Sequence, residues 1–228
     1  MTERDKIFAR IREALKDPQT PPVHNSHGHE GRPSSIQNLN ARQWLPQVGS
    51  GFDEQLALFR KNATDLKAEF HLLNNLEESL NLLQDLSIAE KWRKIGSHNG
   101  ELTNAATKSL GLAVCKTDQR YSVEELESCD VAITECDALI AQTGSVLVTS
   151  HSAGGRALSV LPPHHVVIAK RNQLLPDLSE GFALVKERYG SNYPSFVSFI
   201  TGPSRTGDIE RVLVLGAHGP RKLTIVCF

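Results

Sequence analysis

Near the C-terminus, Thr201-Gly202-Pro203-Ser204-Arg205-Thr206-Gly207-Asp208-Ile209-Glu210 packs two glycines, three hydroxyls and an arginine into ten residues. Gly202 and Gly207 allow a close backbone approach, Ser204 and Thr206 can donate hydroxyl protons, and Arg205 can clamp a carboxylate or phosphate at two points. Asp208 and Glu210 place carboxylates beside this anion cradle and are the candidates for acid–base work. The competing reading is purely local: Asp208 caps a helical turn, and Arg205 pairs with Glu210 or Asp208 on the surface. The spacing matches neither the nucleotide P-loop nor the Gly-x-Gly-x-x-Gly dinucleotide fingerprint.

Three other segments could contribute to such a site. Ala141-Gln142-Thr143-Gly144-Ser145 ends an apolar, helical-looking run and opens a strand, so backbone N–H groups and the hydroxyls of Thr143 and Ser145 coincide. His151-Ser152-Ala153-Gly154-Gly155-Arg156 reads as a loop ending in a cation, either a ligand lid or simply a mobile connection. Leu215-Gly216-Ala217-His218-Gly219-Pro220 puts a histidine between glycines after a strand, where it could work near neutral pH or serve as an ordinary turn residue. His24, His27 and His29 are crowded as metal ligands often are, but without supporting carboxylates, so no metal site is assigned.

The elements that position these turns follow from periodicity. Ile7, Phe8, Ile11, Ala14 and Leu15 form one face of an amphipathic helix over residues 1–17, and a Pro-, Gly- and His-bearing tether occupies 18–51. From 52 to 228 helical stripes alternate with short apolar runs, among them Val131–Thr134, Ser145–Thr149, Val166–Ala169, Phe196–Ile200, Val212–Leu215 and Leu223–Val226. The pattern predicts an α/β domain with a mostly parallel sheet covered by helices, whose connecting turns meet at the carboxyl ends of the strands.

Composition narrows the partners. The 228 residues carry 25 basic and 26 acidic side chains with no long run of either sign, which argues against a nucleic-acid partner. No apolar run is long enough for membrane insertion and no signal pattern opens the chain, so a cytoplasmic location is expected. The four cysteines fit neither a zinc knuckle nor an iron–sulfur run and read as reduced packing thiols.

In its motifs the sequence resembles the lactate-utilisation protein C family, whose shared region is the LUD domain. The resemblance rests on Ala141–Ser145, on Arg156-Ala157-Leu158-Ser159-Val160-Leu161-Pro162-Pro163-His164-His165, on Thr201–Glu210, and on Val214–Pro220. It implies a fold similar to the sugar-phosphate isomerase and coenzyme A transferase group, and a role in oxidising lactate to pyruvate. It also implies two other lactate-utilisation proteins as partners, one of them carrying iron–sulfur clusters. The residue before Thr143-Gly144 is frequently acidic in relatives, whereas here it is Gln142, a neutral amide that can orient a ligand but not take up its proton.

Three functions remain open at this point. The first is a component of lactate oxidation that holds a small carboxylate or phosphate on Thr143, Gly144, Ser145, Arg156, Gly202, Ser204, Arg205, Thr206 and Gly219, with Asp208, Glu210 and His218 as catalytic candidates. The second is an isomerase or coenzyme A transferase, for which Glu135 or Glu210 would have to supply the carboxylate nucleophile. The third is a non-catalytic assembly subunit that recruits partners, or a second copy of itself as a homo-oligomer, through its N-terminal helix. The chain shows no nicotinamide or flavin fingerprint, so no cofactor is expected in it, and lactate oxidation would need an electron acceptor in a partner.

Overall fold

A computed structural model describes Phe8, residues 46–209, 212–215 and 219–228, with the backbone alone over 206–209 and 212–215. The contacts divide the chain into Met1–Ala41 and Arg42–Phe228, and the fold below is that of the second unit. The predicted N-terminal helix, except for a helical and exposed Phe8, and the tether before residue 46, including its three histidines, lie outside the described residues.

The chain begins its core with α1 (Phe52–Asp65), which carries Asp53 and Glu54 in its first turn, where they favour the helix dipole, and buries Phe59 and Ala63. β1 (Glu69–Leu72) follows, then α2 (Leu76–Glu90), capped by the Asn75 side chain accepting from the Glu78 N–H and closed by Lys91 in the left-handed region. β2 (Lys94–Ser97), α3 (Glu101–Leu110), β3 (Ala113–Lys116) and the short α4 (Val123–Glu127) lead to β4 (Val131–Thr134). The next strands are β5 (Ala138–Ile140), β6 (Ser145–Thr149), β7 (His164–Ala169) and β8 (Leu174–Leu175). α5 (Leu178–Tyr189), β9 (Val197–Ile200), the hairpin β10 (Arg205–Ile209) and β11 (Val212–Leu215), and β12 (Lys222–Cys227) complete the order.

Six strands form one parallel sheet in the order β1-β12-β7-β4-β2-β3. Its alternating side chains sort to two faces, as the period of two requires. Val131, Ile133, Val166, Ile168 and Val226 pack with Leu83 of α2 and Leu102 and Ala106 of α3. Val167, Ala169, Leu223, Ile225 and Cys227 face the other way, toward Leu139, Val146 and Val148. Those last residues belong to a second sheet of order β8-β5-β6-β9, covered on its outer face by Val185 and Leu178 of α5.

The predicted helix-covered parallel sheet is therefore present, with a second sheet stacked on it. Two expectations change in detail. The run ending at Ile140 is a strand, not a helix, because three or four buried apolar residues have no legible period. The turn at Thr143-Gly144 is a hairpin between antiparallel β5 and β6, and Gly219–Arg221 feeds the amino end of β12, so neither sits at the carboxyl ends of the parallel strands. Buried apolar strands look alike in sequence whichever sheet they join. All four cysteines are free and buried, and burial pushes the Cys129 thiol up to about 12 and that of Cys227 to about 11, as suits packing residues. No helix among the described residues is long and apolar enough to cross a membrane.

Candidate functional site

At the amino ends of β7 and β12, between the two sheets, lies a cavity of about 300 Å³, within the range of small-molecule sites. Its floor is His165 and Leu223, which are partners in the β7–β12 register. Ser198 and Ile200 of β9 form one wall, Ser159 and Val160 another, and the turns at Gly202–Ser204 and Gly219-Pro220 close the rest. The last two turns are joined directly, since the Ser204 N–H donates to the Pro220 carbonyl at 2.8 Å.

The glycine in the first of these turns is structurally required. Gly202 has φ +82°, and a Cβ there would stand 2.6 Å from the Leu66 carbonyl oxygen. That carbonyl is the acceptor for Arg205, whose guanidinium donates to it at 2.8 Å. The turn is thus pinned to the C-terminal end of α1.

His165 is 1% exposed. Its Nε2 is 2.9 Å from the Thr134 hydroxyl, while its Nδ1 is buried with no hydrogen-bond partner among the described residues. Burial, with a smaller contribution from the neighbouring His164, pushes the imidazole down to about 3, so the ring is neutral at physiological pH. An unmet buried polar atom costs about 1–3 kcal/mol. The lining offers this imidazole, the Ser159, Ser198 and Ser204 hydroxyls and backbone groups, an arrangement suited to orienting a few polar atoms of a small molecule against apolar walls.

The residues singled out in the sequence distribute as follows. Gly202, Ser204 and Gly219 line the cavity. Arg205 stands one turn away on Leu66, and Arg156, exposed, donates to the Ser195 carbonyl. Thr143, Gly144 and Ser145 do not line the cavity: the Ser145 hydroxyl lies 2.7 Å from that of Thr143 and 2.8 Å from that of Thr201, the residue before Gly202. Gln142 donates its amide to the Pro46 carbonyl at 3.3 Å. Thr206 and Asp208 are backbone positions of β10, their side chains outside the described residues, and Glu210 and His218 lie outside them altogether. The Glu135 carboxylate is held by the Leu102 and Thr103 N–H groups at 2.9 and 3.3 Å, at the N-terminus of α3. Among the described residues no group of three or more His, Cys, Asp or Glu side chains is arranged to hold a metal.

His165, Ser159 and Ser198 carry the cavity's polarity and were not selected from sequence. The available signal was a histidine pair opening an otherwise apolar strand, since a polar residue placed where burial is expected is more informative than an apolar one. Three of the four segments that bear the family resemblance thus close on one volume. A family model described as the LUD domain matches residues 56–227, which contain every lining residue. The chain belongs to the LUD domain family. Within it, the lactate utilization protein C of Shouchella clausii is 28% identical over 176 residues, 75% of this chain and 77% of that one. Those of a Geobacillus species and of Halalkalibacterium halodurans are 36% and 37% identical over 109 and 106 residues, spanning 45% and 46% of their own lengths. The matches to these two therefore cover about half of each chain. Among solved structures, a DUF162 family protein from Deinococcus radiodurans superposes with a TM-score of 0.60 at 21% identity, covering 78% of this chain and 99% of that one, which establishes the shared fold.

Proposed function

We propose that this LUD domain chain is a component of a lactate-utilisation system, in which lactate is oxidised to pyruvate together with partner proteins, one of them carrying iron–sulfur clusters. Its part is to hold a small carboxylate in the cavity floored by His165. The reading draws on the name shared by its relatives, and one observation carries it: Ser159-Val160, Gly202–Ser204 and Gly219-Pro220, distant in sequence, close on a single 300 Å³ volume floored by His165. That volume suits a molecule of lactate's size with room for a few waters. Removing two electrons and two protons from lactate requires an acceptor, and the partner's clusters would take the electrons.

In this reading the Gly202 and Gly219 turns and the serine hydroxyls orient the carboxylate, and neutral His165 bonds the hydroxyl or keto oxygen. Arg205 acts at one remove by holding the Gly202 turn to Leu66. The decisive experiment is calorimetric titration of the purified chain with lactate and pyruvate, beside the same titration of His165→Leu. Binding that weakens about tenfold in the variant, with the unfolding transition kept cooperative, is the expected result. Equal affinity in the two proteins would remove the cavity from the proposal.

A further inference from the structure

β9 is the outermost strand of the second sheet, and no strand among the described residues pairs with its far side. Which of its backbone groups face that side follows from β6. The Phe196 carbonyl accepts from the Ser150 N–H at 2.9 Å, and by the alternation of an antiparallel ladder Phe196, Ser198 and Ile200 turn their backbone groups toward β6. The residues between them find no partner on that side. Leu147, opposite Phe199, gives its carbonyl to the Asp137 N–H at 2.8 Å. Thr149, opposite Val197, donates its N–H to the Ser152 hydroxyl at 2.9 Å, and its carbonyl accepts from the Ala153 N–H at 2.9 Å. Val197 and Phe199 therefore direct their N–H and C=O groups to the open side. The Thr201 hydroxyl donates to the Phe199 carbonyl at 3.2 Å and leaves it a second lone pair.

An open edge invites another strand, and proteins usually blunt it with charge. The edges of the parallel sheet follow that habit, with Glu69 in β1 and Lys116 in β3. β9 does not: from Gly190 to Ser204 the sequence has no charged side chain. Just outside the open stretch the Arg156 guanidinium donates to the Ser195 carbonyl, which confines the free edge to Val197–Phe199. The outer face of that stretch is apolar and incompletely covered. Val197 is 37% exposed, and Phe182 of α5, whose ring lies 5.0 Å from that of Phe199, is 59% exposed.

The free groups are complementary to themselves. Antiparallel strands set same-face residues opposite one another, so with Ser198 on a twofold axis Val197 of each copy meets Phe199 of the other. Each of these pairs exchanges both of its main-chain bonds, and each sets a β-branched side chain beside an aromatic ring across the strands. A partner that recognised charge would find none here, whereas a second copy brings the same uncharged edge.

We infer that β9 is a self-pairing edge, through which two copies of this chain join antiparallel about Ser198. The second sheet then runs across both copies. Ser198 also lines the His165 cavity, so the second copy's Ser198 stands beside that wall and completes it. The inference stands on the strand edge and not on the function proposed above.

Sedimentation velocity of the full chain should show a dimer. Val197→Lys puts a charge on the edge without touching the cavity lining, and should raise the dimer dissociation constant at least about tenfold while unfolding stays cooperative. Ser198→Cys tests the register. Residues opposed in a non-hydrogen-bonded pair have Cα atoms about 4.5 Å apart, within reach of a disulfide. Mild oxidation with copper phenanthroline should therefore link Ser198→Cys into a covalent dimer that dithiothreitol reverses, and should leave Val197→Cys unlinked. A chain that sediments as a monomer overturns the inference, whether the edge is bare or covered by another segment. So does a dimer whose affinity is unchanged in Val197→Lys, or one that Ser198→Cys fails to link.

Discussion

The Arg205 guanidinium donates to the Leu66 carbonyl at 2.8 Å, joining the first residue of β10 to the end of a helix 139 positions earlier. It satisfies an orphan carbonyl at the C-terminus of α1 with a charged donor. Arg205→Ala should therefore lower stability by about 1.5–3 kcal/mol, the usual worth of a hydrogen bond to a charged group. Because Arg205 does not line the His165 cavity and reaches it only through the Gly202 turn, ligand affinity should fall only together with stability. Urea unfolding and calorimetry on the one variant measure both, and a large affinity loss at unchanged stability would return Arg205 to the anion-clamping role.

His164 and His165 make a pH-dependent contribution whose sign is set by burial. Their folded values, about 4 and about 3, lie below the ordinary histidine value of 6.5. As the pH falls below about 6.5 the unfolded chain binds protons that the folded chain refuses, so stability present above that pH is lost progressively down to about pH 4 and further toward 3. At about 1.4 kcal/mol per unit of difference the two rings together account for several kcal/mol. Urea midpoints should fall between pH 7 and 4.5, and His164→Gln should flatten the slope. A flat wild-type profile over that interval would contradict the assignment of two neutral buried rings.

The buried Asp137 carboxylate gathers the Arg188 guanidinium at 2.6 Å, the Ser152 hydroxyl at 2.6 Å and the Tyr189 hydroxyl at 2.7 Å, tying α5 to the start of β5 and to the loop after β6. The two charged partners are not equivalent, since the Asp137 side chain is 1% exposed and that of Arg188 45%. Arg188→Ala leaves a buried charge with its two hydroxyl donors and should cost about 1–3 kcal/mol, less than for a fully buried pair because the guanidinium is half exposed. Asp137→Asn leaves an arginine that can turn to water, and should cost less. Chemical denaturation of both variants tests the order, and a costlier Asp137→Asn would show that the carboxylate's hydroxyl donors outweigh the ion pair.

What could be read from sequence, and what could not, follows from the range of each interaction. The strands at Val131–Thr134 and Ser145–Thr149 appear where apolar, β-branched runs predict them. Membership of one sheet or another was not legible, because Val146 and Val167 present the same local pattern and differ only in distant partners. That Gly202, Ser204 and Gly219 occupy tight turns was legible, because turns that approach another backbone need their residue types. His165 was not, because its significance lies in a missing hydrogen bond, which no spacing reveals. The bond from Arg205 to Leu66 was not legible either, because its acceptor is a backbone carbonyl, and carbonyls have no sequence signature.

The position of β12 between β1 and β7 has a kinetic consequence. Glu69 and Thr224 are register partners separated by 155 residues, and β12 is the only strand that β1 pairs with among the described residues. Closing so long a loop must precede any reward from the pairing, so β1 has to wait for β12 before it can join the sheet. Until it inserts, β7 offers an open apolar edge to whatever strand is nearby, and a chain stalled at that stage is more exposed to aggregation than the finished protein.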